Sequence, residues 1–226
     1  MLPSLVADET GDQGGQPMIF YDCSTAPNPR RARMFLAEKG LRPESHDISI
    51  AKAEQLKPEF RAVNPRATIP VLVTDEGSVL TENLGIAAYL EAHTPEPALM
   101  GRTADEKGLV LMWNSIVEQQ GGMPIAEALR NTHPAFENRA IPGPDNYAQL
   151  PQLAERGLAR TQAFFALLEE RLSESPYLAG EEFTLADISA FVFVEFARVI
   201  KQRIPEENTA TLAWYKAIKA RPSAQL

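Results

Sequence analysis

Cys23, Ser24 and Thr25 put a thiol and two hydroxyls on consecutive residues. They follow the β-forming run Met18-Ile19-Phe20-Tyr21-Asp22 and precede Ala26-Pro27-Asn28-Pro29, whose turn residues lead into a helix. A hydroxyl in such a loop can donate a hydrogen bond to an anion and so favour the charged form. A cysteine there is a nucleophile only as its thiolate, which needs exposure near a helix N-terminus. Cys23 falls at the very end of the strand, and free cysteine is among the most buried residue types. The two hydroxyls are therefore the stronger candidates. Their plainer alternative is to cap or brace the turn. With one cysteine in the chain there is no Cys-x-x-Cys pair, no internal disulfide and no thiolate-rich metal cluster.

Glu82 and Asn83 open a second candidate position, at the first turn of an apparent helix. Free backbone N–H groups and the helix field favour anions there, and an Asn amide can donate to a carboxylate. Glu82 is also an ordinary acidic first-turn residue, and Asn83 an ordinary cap. Arg30, Arg31 and Arg33 oppose the helix field at the start of the first helix. Either they face an anion, or they form a solvated face paired with acidic residues; the second reading is preferred. Thr184-x-x-Asp187 before an apolar run reads as a capping box with a structural role. His46, His93 and His133 share no ligand spacing, so no metal is expected.

The elements that must position these residues change character along the chain. A helix is expected over 31–39, with Ala32, Phe35 and Leu36 on one stripe and Gly40 ending it. A strand follows over 44–50, then a polar turn over 51–60. Two apolar strands flank Asp75-Glu76-Gly77-Ser78 as a hairpin. A helix over 82–92 carries Leu84, Ile86, Ala87 and Leu90 as its apolar set. The proline-bearing stretch after it reads as a linker. Beyond it, helices are expected over 103–129, 150–172, 184–200 and 209–220, with loop chemistry over 131–147. The expected division is a polar lead-in over 1–17, an α/β domain over 18–94, a linker over 95–102 and an all-α domain over 103–226.

Composition bounds the function classes. The 226 residues carry a formal net charge of -8, which argues against nucleic acid as a general partner. The 44 % of hydrophobic residues is enough for a sizeable core, yet no apolar stretch reaches the ~18 residues that span a bilayer, so no membrane association is expected. The first residues lack a basic region followed by an apolar one, as in a signal peptide. A cytoplasmic location fits these facts.

Three segments resemble the cytosolic glutathione transferase family: YDCSTAPNPRRARMFLAEKGL at 21–41, NPRATIPVL at 64–72 with LTENLGIAAYLE at 80–91, and YLAGEEFTLADI at 177–188. The first looks like the first strand, active-site loop and first helix of many bacterial members. The resemblance covers roughly 18–222. It implies a thioredoxin-like domain with a four-stranded mixed sheet, followed by a helical bundle, in a homodimeric enzyme.

The same resemblance implies roles. Glutathione is the co-substrate, and its thiolate attacks a small hydrophobic electrophile held against the helical domain. Pro70 is implied to be cis, so that Ile69 pairs strand-like with the cysteinyl part of glutathione. Glu82 faces the γ-glutamyl ammonium, and Asn83, standing where a serine is usual, its carboxylate. Lys57 lies near the position that contacts the glycyl carboxylate. Ser24, near the strand end as in serine-type members, is the first choice for stabilising the thiolate, with Thr25 beside it. Many bacterial members have Ser or Thr before the Pro-Asn pair; here that position is Ala26. Some members use a cysteine in this region for thiol transfer, which keeps a glutathione-dependent thiol-transferase or peroxide reductase open as an alternative. A non-catalytic scaffold is the third. Trp113, Met112, Ile116 and Met123 either line the electrophile pocket or, as helical spacing more often means, belong to the core.

Overall fold

A computed structural model describes residues 17–226. The lead-in expected over 1–17 lies, Pro17 apart, outside the described residues. The first half holds β1 (Ile19–Asp22), α1 (Pro27–Glu38), β2 (Glu44–Asp47), α2 (Pro58–Val63), β3 (Val71–Val73), β4 (Val79–Thr81) and α3 (Asn83–His93). The sheet order is β2-β1-β3-β4, with β1 parallel to β2 and the other two pairings antiparallel. It is the mixed four-stranded sheet of a thioredoxin-like domain. Phe20 and Leu72 sit opposite each other on β1 and β3, and both are buried.

Local chemistry fixes where these elements begin and end. α1 starts at Pro27, earlier than expected, because Pro27 and Pro29 occupy a first turn that needs no N–H. Past Lys39 the chain turns at Gly40, whose φ of 70° suits glycine. β2 stops at Asp47, short of the expected residue 50. The Glu54 carboxylate accepts the Ser49 N–H at 2.8 Å and turns the chain away.

The regular elements of the second half are helices: α4 (Ala104–Val117), a π turn (Glu118–Gly122), α5 (Met123–Arg130), α6 (Pro151–Glu174), α7 (Leu185–Phe196) and α8 (Thr209–Lys219). Thr103 and Glu106 close a capping box at the start of α4, worth about 1 kcal/mol. The helix expected over 103–129 does run on, but it widens at 118–122. There Gly121 and Gly122 meet the rings of Phe164 and Phe193 so closely that an added β-carbon would stand 2.6 Å and 2.5 Å from them. Leu185 to Val194 is buried at every position, so α7 is the central helix of the bundle. Met112 and Met123 are not core: they are 46 % and 55 % exposed. Leu84 likewise leaves the apolar face expected for it and is 41 % exposed.

Polar contacts join the two halves. Lys39 is buried and donates to the carbonyls of Pro95 and Pro97, with Glu91 at 2.6 Å. Glu38 takes Arg221 in a two-pronged ion pair. Leu185 N donates to Leu99 O at 2.9 Å, tying the linker to α7.

Candidate active site

Strand direction brings the candidate residues together. Tyr21 is opposite Val71, Val71 is opposite Thr81, and Asp22 is beside Asp47. The C-terminal ends of β1, β2 and β4 and the start of β3 therefore meet at one edge of the sheet. From that edge emerge Cys23-Ser24-Thr25, the segment leading to Lys57, Ile69-Pro70, and Glu82-Asn83.

The β1–α1 loop is pinned from below. Asp22 Oδ1 accepts the Cys23 N–H at 2.6 Å and pairs with Arg33 at 2.5 Å. Arg33 also donates to the carbonyls of Cys23 and Ser24, each at 3.3 Å. Ser24 N donates to Asp47 Oδ1 at 2.8 Å. This leaves the Ser24 and Thr25 side chains exposed. Cys23 turns inward and is 3 % exposed, with its Sγ 3.6 Å from Thr25 Oγ1. Ala26 is the N-cap of α1 and supplies no side-chain cap. Pro27 and Pro29 carry no N–H, so of the first three helical residues only Asn28 offers a backbone donor. A thiolate at this loop would receive little from the helix end, which raises the weight of a side-chain hydroxyl.

The Ile69–Pro70 peptide is cis. Glu82 is exposed and adopts φ 63°, an unusual angle for a residue with a β-carbon. That backbone turn carries β4 directly into α3. Asn83 is buried, at 7 % exposure, and its Oδ1 has no hydrogen-bond partner. A half-turn of the amide exchanges its acceptor and donor, so Asn83 can meet either an ammonium or a carboxylate. An unpartnered buried amide is costly in an empty site and satisfied in a filled one.

Lys57 stands at the N-cap position of α2 without a side-chain cap and is exposed, with Nζ 3.7 Å from Glu54 Oε1. Backbone donation from Ser49 holds the Glu54 carboxyl below its ordinary range. Beside it, Gln55 Oε1 is buried and unpartnered. Nothing in the polar 51–60 stretch marks Gln55 out by residue type. Arg31 is the largest departure from the sequence reading. It is not on a solvated face but 3 % exposed between the two halves of the molecule. Glu118, its partner at 2.5 Å, stands at the π turn, where neither its type nor its spacing in the sequence marks it out. Among the described residues no group of three His, Cys, Asp or Glu side chains is placed to hold a metal ion, and no helix is long and apolar enough to cross a membrane.

Comparison with known proteins agrees with this geometry. The family description "Glutathione S-transferase, N-terminal domain" matches residues 25–93, and "Glutathione S-transferase, C-terminal domain" matches 151–217. Glutathione S-transferase 2 of Saccharomyces cerevisiae is 36 % identical, over 95 % of this chain and 91 % of its own. The disulfide-bond oxidoreductase YfcG of Escherichia coli is 29 % identical over 91 % and 92 %. The crystal structure of Gtt2 from Saccharomyces cerevisiae superposes with a TM-score of 0.82 at 32 % identity, over 92 % of this chain and 98 % of that one.

Proposed function

Because the chain belongs to the glutathione S-transferase family, we propose that it is an enzyme joining glutathione, through sulfur, to a small hydrophobic electrophile. The observation that carries this is the convergence at one sheet edge of the exposed Ser24 hydroxyl, Ile69 before Pro70, and the buried, unpartnered Asn83 amide. On this reading Ile69 pairs with the cysteinyl backbone, Glu82 and Asn83 hold the γ-glutamyl end, and Lys57, with Gln55 beside it, holds the glycyl carboxylate. Ser24 donates to the sulfur, with Thr25 as the neighbouring hydroxyl. The thiol proton leaves to solvent. With an aromatic halide, the thiolate forms the C–S bond and the halide departs with the electron pair of the broken bond. Catalysis is then positioning plus thiolate stabilisation.

The same reading divides the chain at 95–102, between a glutathione-binding domain over 18–94 and a helical domain over 103–226. It makes the protein a cytoplasmic detoxifying homodimer. Support for a paired face comes from exposed Leu84 and Leu109 and from the hollow that Ala88, Ala92 and Leu111 line between α3 and α4. A bacterial origin for the chain itself is suggested by the 21–41 segment, while its relatives come from both Saccharomyces cerevisiae and Escherichia coli.

The test is conjugation to an aromatic halide, with retention on immobilised glutathione. Ser24→Ala is expected to lower kcat/KM by about 10- to 100-fold while the fold is kept. Unchanged activity removes Ser24 from the chemistry. No affinity at millimolar glutathione sinks the enzyme and leaves a scaffold.

The relative named a disulfide-bond oxidoreductase supports a second reading, reduction of disulfides with glutathione as the thiol; peroxide reduction belongs to the same alternative but has no such support. Buried Cys23 is badly placed for it. The attacking group would be the bound glutathione thiolate, which displaces one sulfur of the substrate disulfide. A second glutathione then releases the first as oxidised glutathione.

A further inference from the structure

The three arginines of α1 part company in the structure. Arg30 stands 3.8 Å from Glu195 and donates to the Ala224 carbonyl, while Arg33 neutralises Asp22. Arg31 points into the seam between the domains. Its Nε donates to Ser189 Oγ of α7 at 3.0 Å. Its terminal nitrogens reach Asn114 Oδ1 of α4 at 3.2 Å, Glu118 Oε1 of the π turn at 2.5 Å and Asn28 Oδ1 in the first turn of α1 at 3.4 Å. The Phe193 ring lies 5.0 Å from its guanidinium carbon.

We propose that the Arg31–Glu118 pair sets the acidity of a thiol bound at the β1–α1 loop, Arg31 favouring the thiolate and Glu118 restraining that effect. This rests on the glutathione-transferase reading. Neither is a catalytic residue; both act at a distance through their charge.

Placement and screening support it. Arg31 lies one helical turn, about 6 Å of axis, beyond Pro27 at the end of that loop. Its side chain is 3 % exposed and that of Glu118 36 %. Water screens the carboxylate more than the guanidinium, so the field the pair leaves at a nearby sulfur is positive. Facing Arg31 are Glu118 from the π turn and, more weakly, Glu82 from the start of α3; α4 and α7 offer it only uncharged Asn114, Ser189 and Phe193. Around the loop, Asp22 and Arg33 cancel, Asp47 is tied to Ser24 N–H, and Lys57 is solvated. The seam pair is then the more buried charge pair that tips the balance at the sulfur, against the more solvated carboxylates of Asp47 and Glu82. An opposite charge near an acid lowers its pKa and a like charge raises it.

The experiment is a pH titration of the thiolate absorbance of protein-bound glutathione. Glu118→Gln, at a partly exposed position that tolerates an amide, is expected to lower the midpoint by roughly half to one pH unit. Arg31→Lys keeps the charge and is expected to stay near the wild type. Arg31→Met, where it folds, is expected to raise the midpoint by a similar amount. A role confined to holding the domains together would not move the midpoint downward in Glu118→Gln. A midpoint unmoved or raised in that variant overturns the proposal, whatever becomes of Arg31→Met. A wild-type protein that does not bind glutathione removes the transferase reading and this inference with it. One that binds and ionises glutathione without responding to Glu118→Gln removes the inference alone.

Discussion

Trp214 Nε1 of α8 donates to Asp187 Oδ1 of α7 at 3.0 Å, and both residues are buried. The same carboxylate accepts the Leu178 N–H at 3.0 Å, the Thr184 N–H at 3.1 Å and the Thr184 hydroxyl at 3.0 Å. Burial pushes the Asp187 carboxyl up to about 6, against the pull of those four donors. A carboxyl raised in the folded protein binds its proton more tightly there than in the unfolded chain. Its contribution to stability is full below the ordinary carboxyl value and is lost as pH rises through about 6. The loss is on the order of 3 kcal/mol. Asp187→Asn should melt lower at neutral pH, because an amide turns N–H against donors. Its melting temperature should also lose this group's fall between about pH 4 and 6. Thermal melts of both proteins across that range check it, and parallel curves would contradict the raised pKa.

Asn83 should separate binding from stability. Its Oδ1 is buried without a partner, so the free protein gains nothing from it. Asn83→Ala is expected to keep or raise the melting temperature, by up to about 1 kcal/mol in stability. The same variant should raise the KM for glutathione roughly 10-fold, the worth of one hydrogen bond to a charged group. A loss of stability without a change in KM would mark Asn83 as an ordinary cap.

Cys23 should be inert. At 3 % exposure its sulfur is out of reach of a thiol reagent in the native protein. Titration with an aromatic disulfide should find no free thiol until denaturant is added. Cys23→Ala should keep transferase activity within about two-fold, at a stability loss of about 1 kcal/mol for the smaller side chain. Rapid native labelling would reopen thiol-transfer chemistry on Cys23 itself.

Much of this architecture follows from local pattern. The change from period 2 to period 3.6 marks the sheet half from the helical half, and Thr184 with Asp187 forms the capping box their spacing suggests. The loop residues 23–25, the pair 69–70 and the pair 82–83 stand out by type, yet only the strand register puts them at one edge. Arg31 and Glu118 could not be read in this way. An arginine in a helix is usually solvated, and what withdraws Arg31 is the approach of α4 and α7, 83 and 158 residues away in the chain. The π turn is hidden for the same reason: Gly121 and Gly122 are explained by Phe164 and Phe193, which lie on other helices.

That last relationship predicts opposite signs for two glycines of one helical run. Gly108 of α4 has open space around a would-be β-carbon, and Ala is the better helix former. Gly108→Ala should therefore stabilise the protein by about 0.5–1 kcal/mol. At Gly122 the β-carbon would stand 2.5 Å from the Phe193 ring, which is itself buried against the Arg31 guanidinium. The ring has little room to retreat without shifting Arg31 from Ser189 and Glu118. Gly122→Ala should destabilise by about 1–3 kcal/mol, lowering the melting temperature by roughly 2–4 °C per kcal/mol in a chain of this size. Melts of the two variants beside the wild type decide it. Equal shifts would mean that the π turn relaxes to take the methyl group, and that close packing is not what selects glycine there.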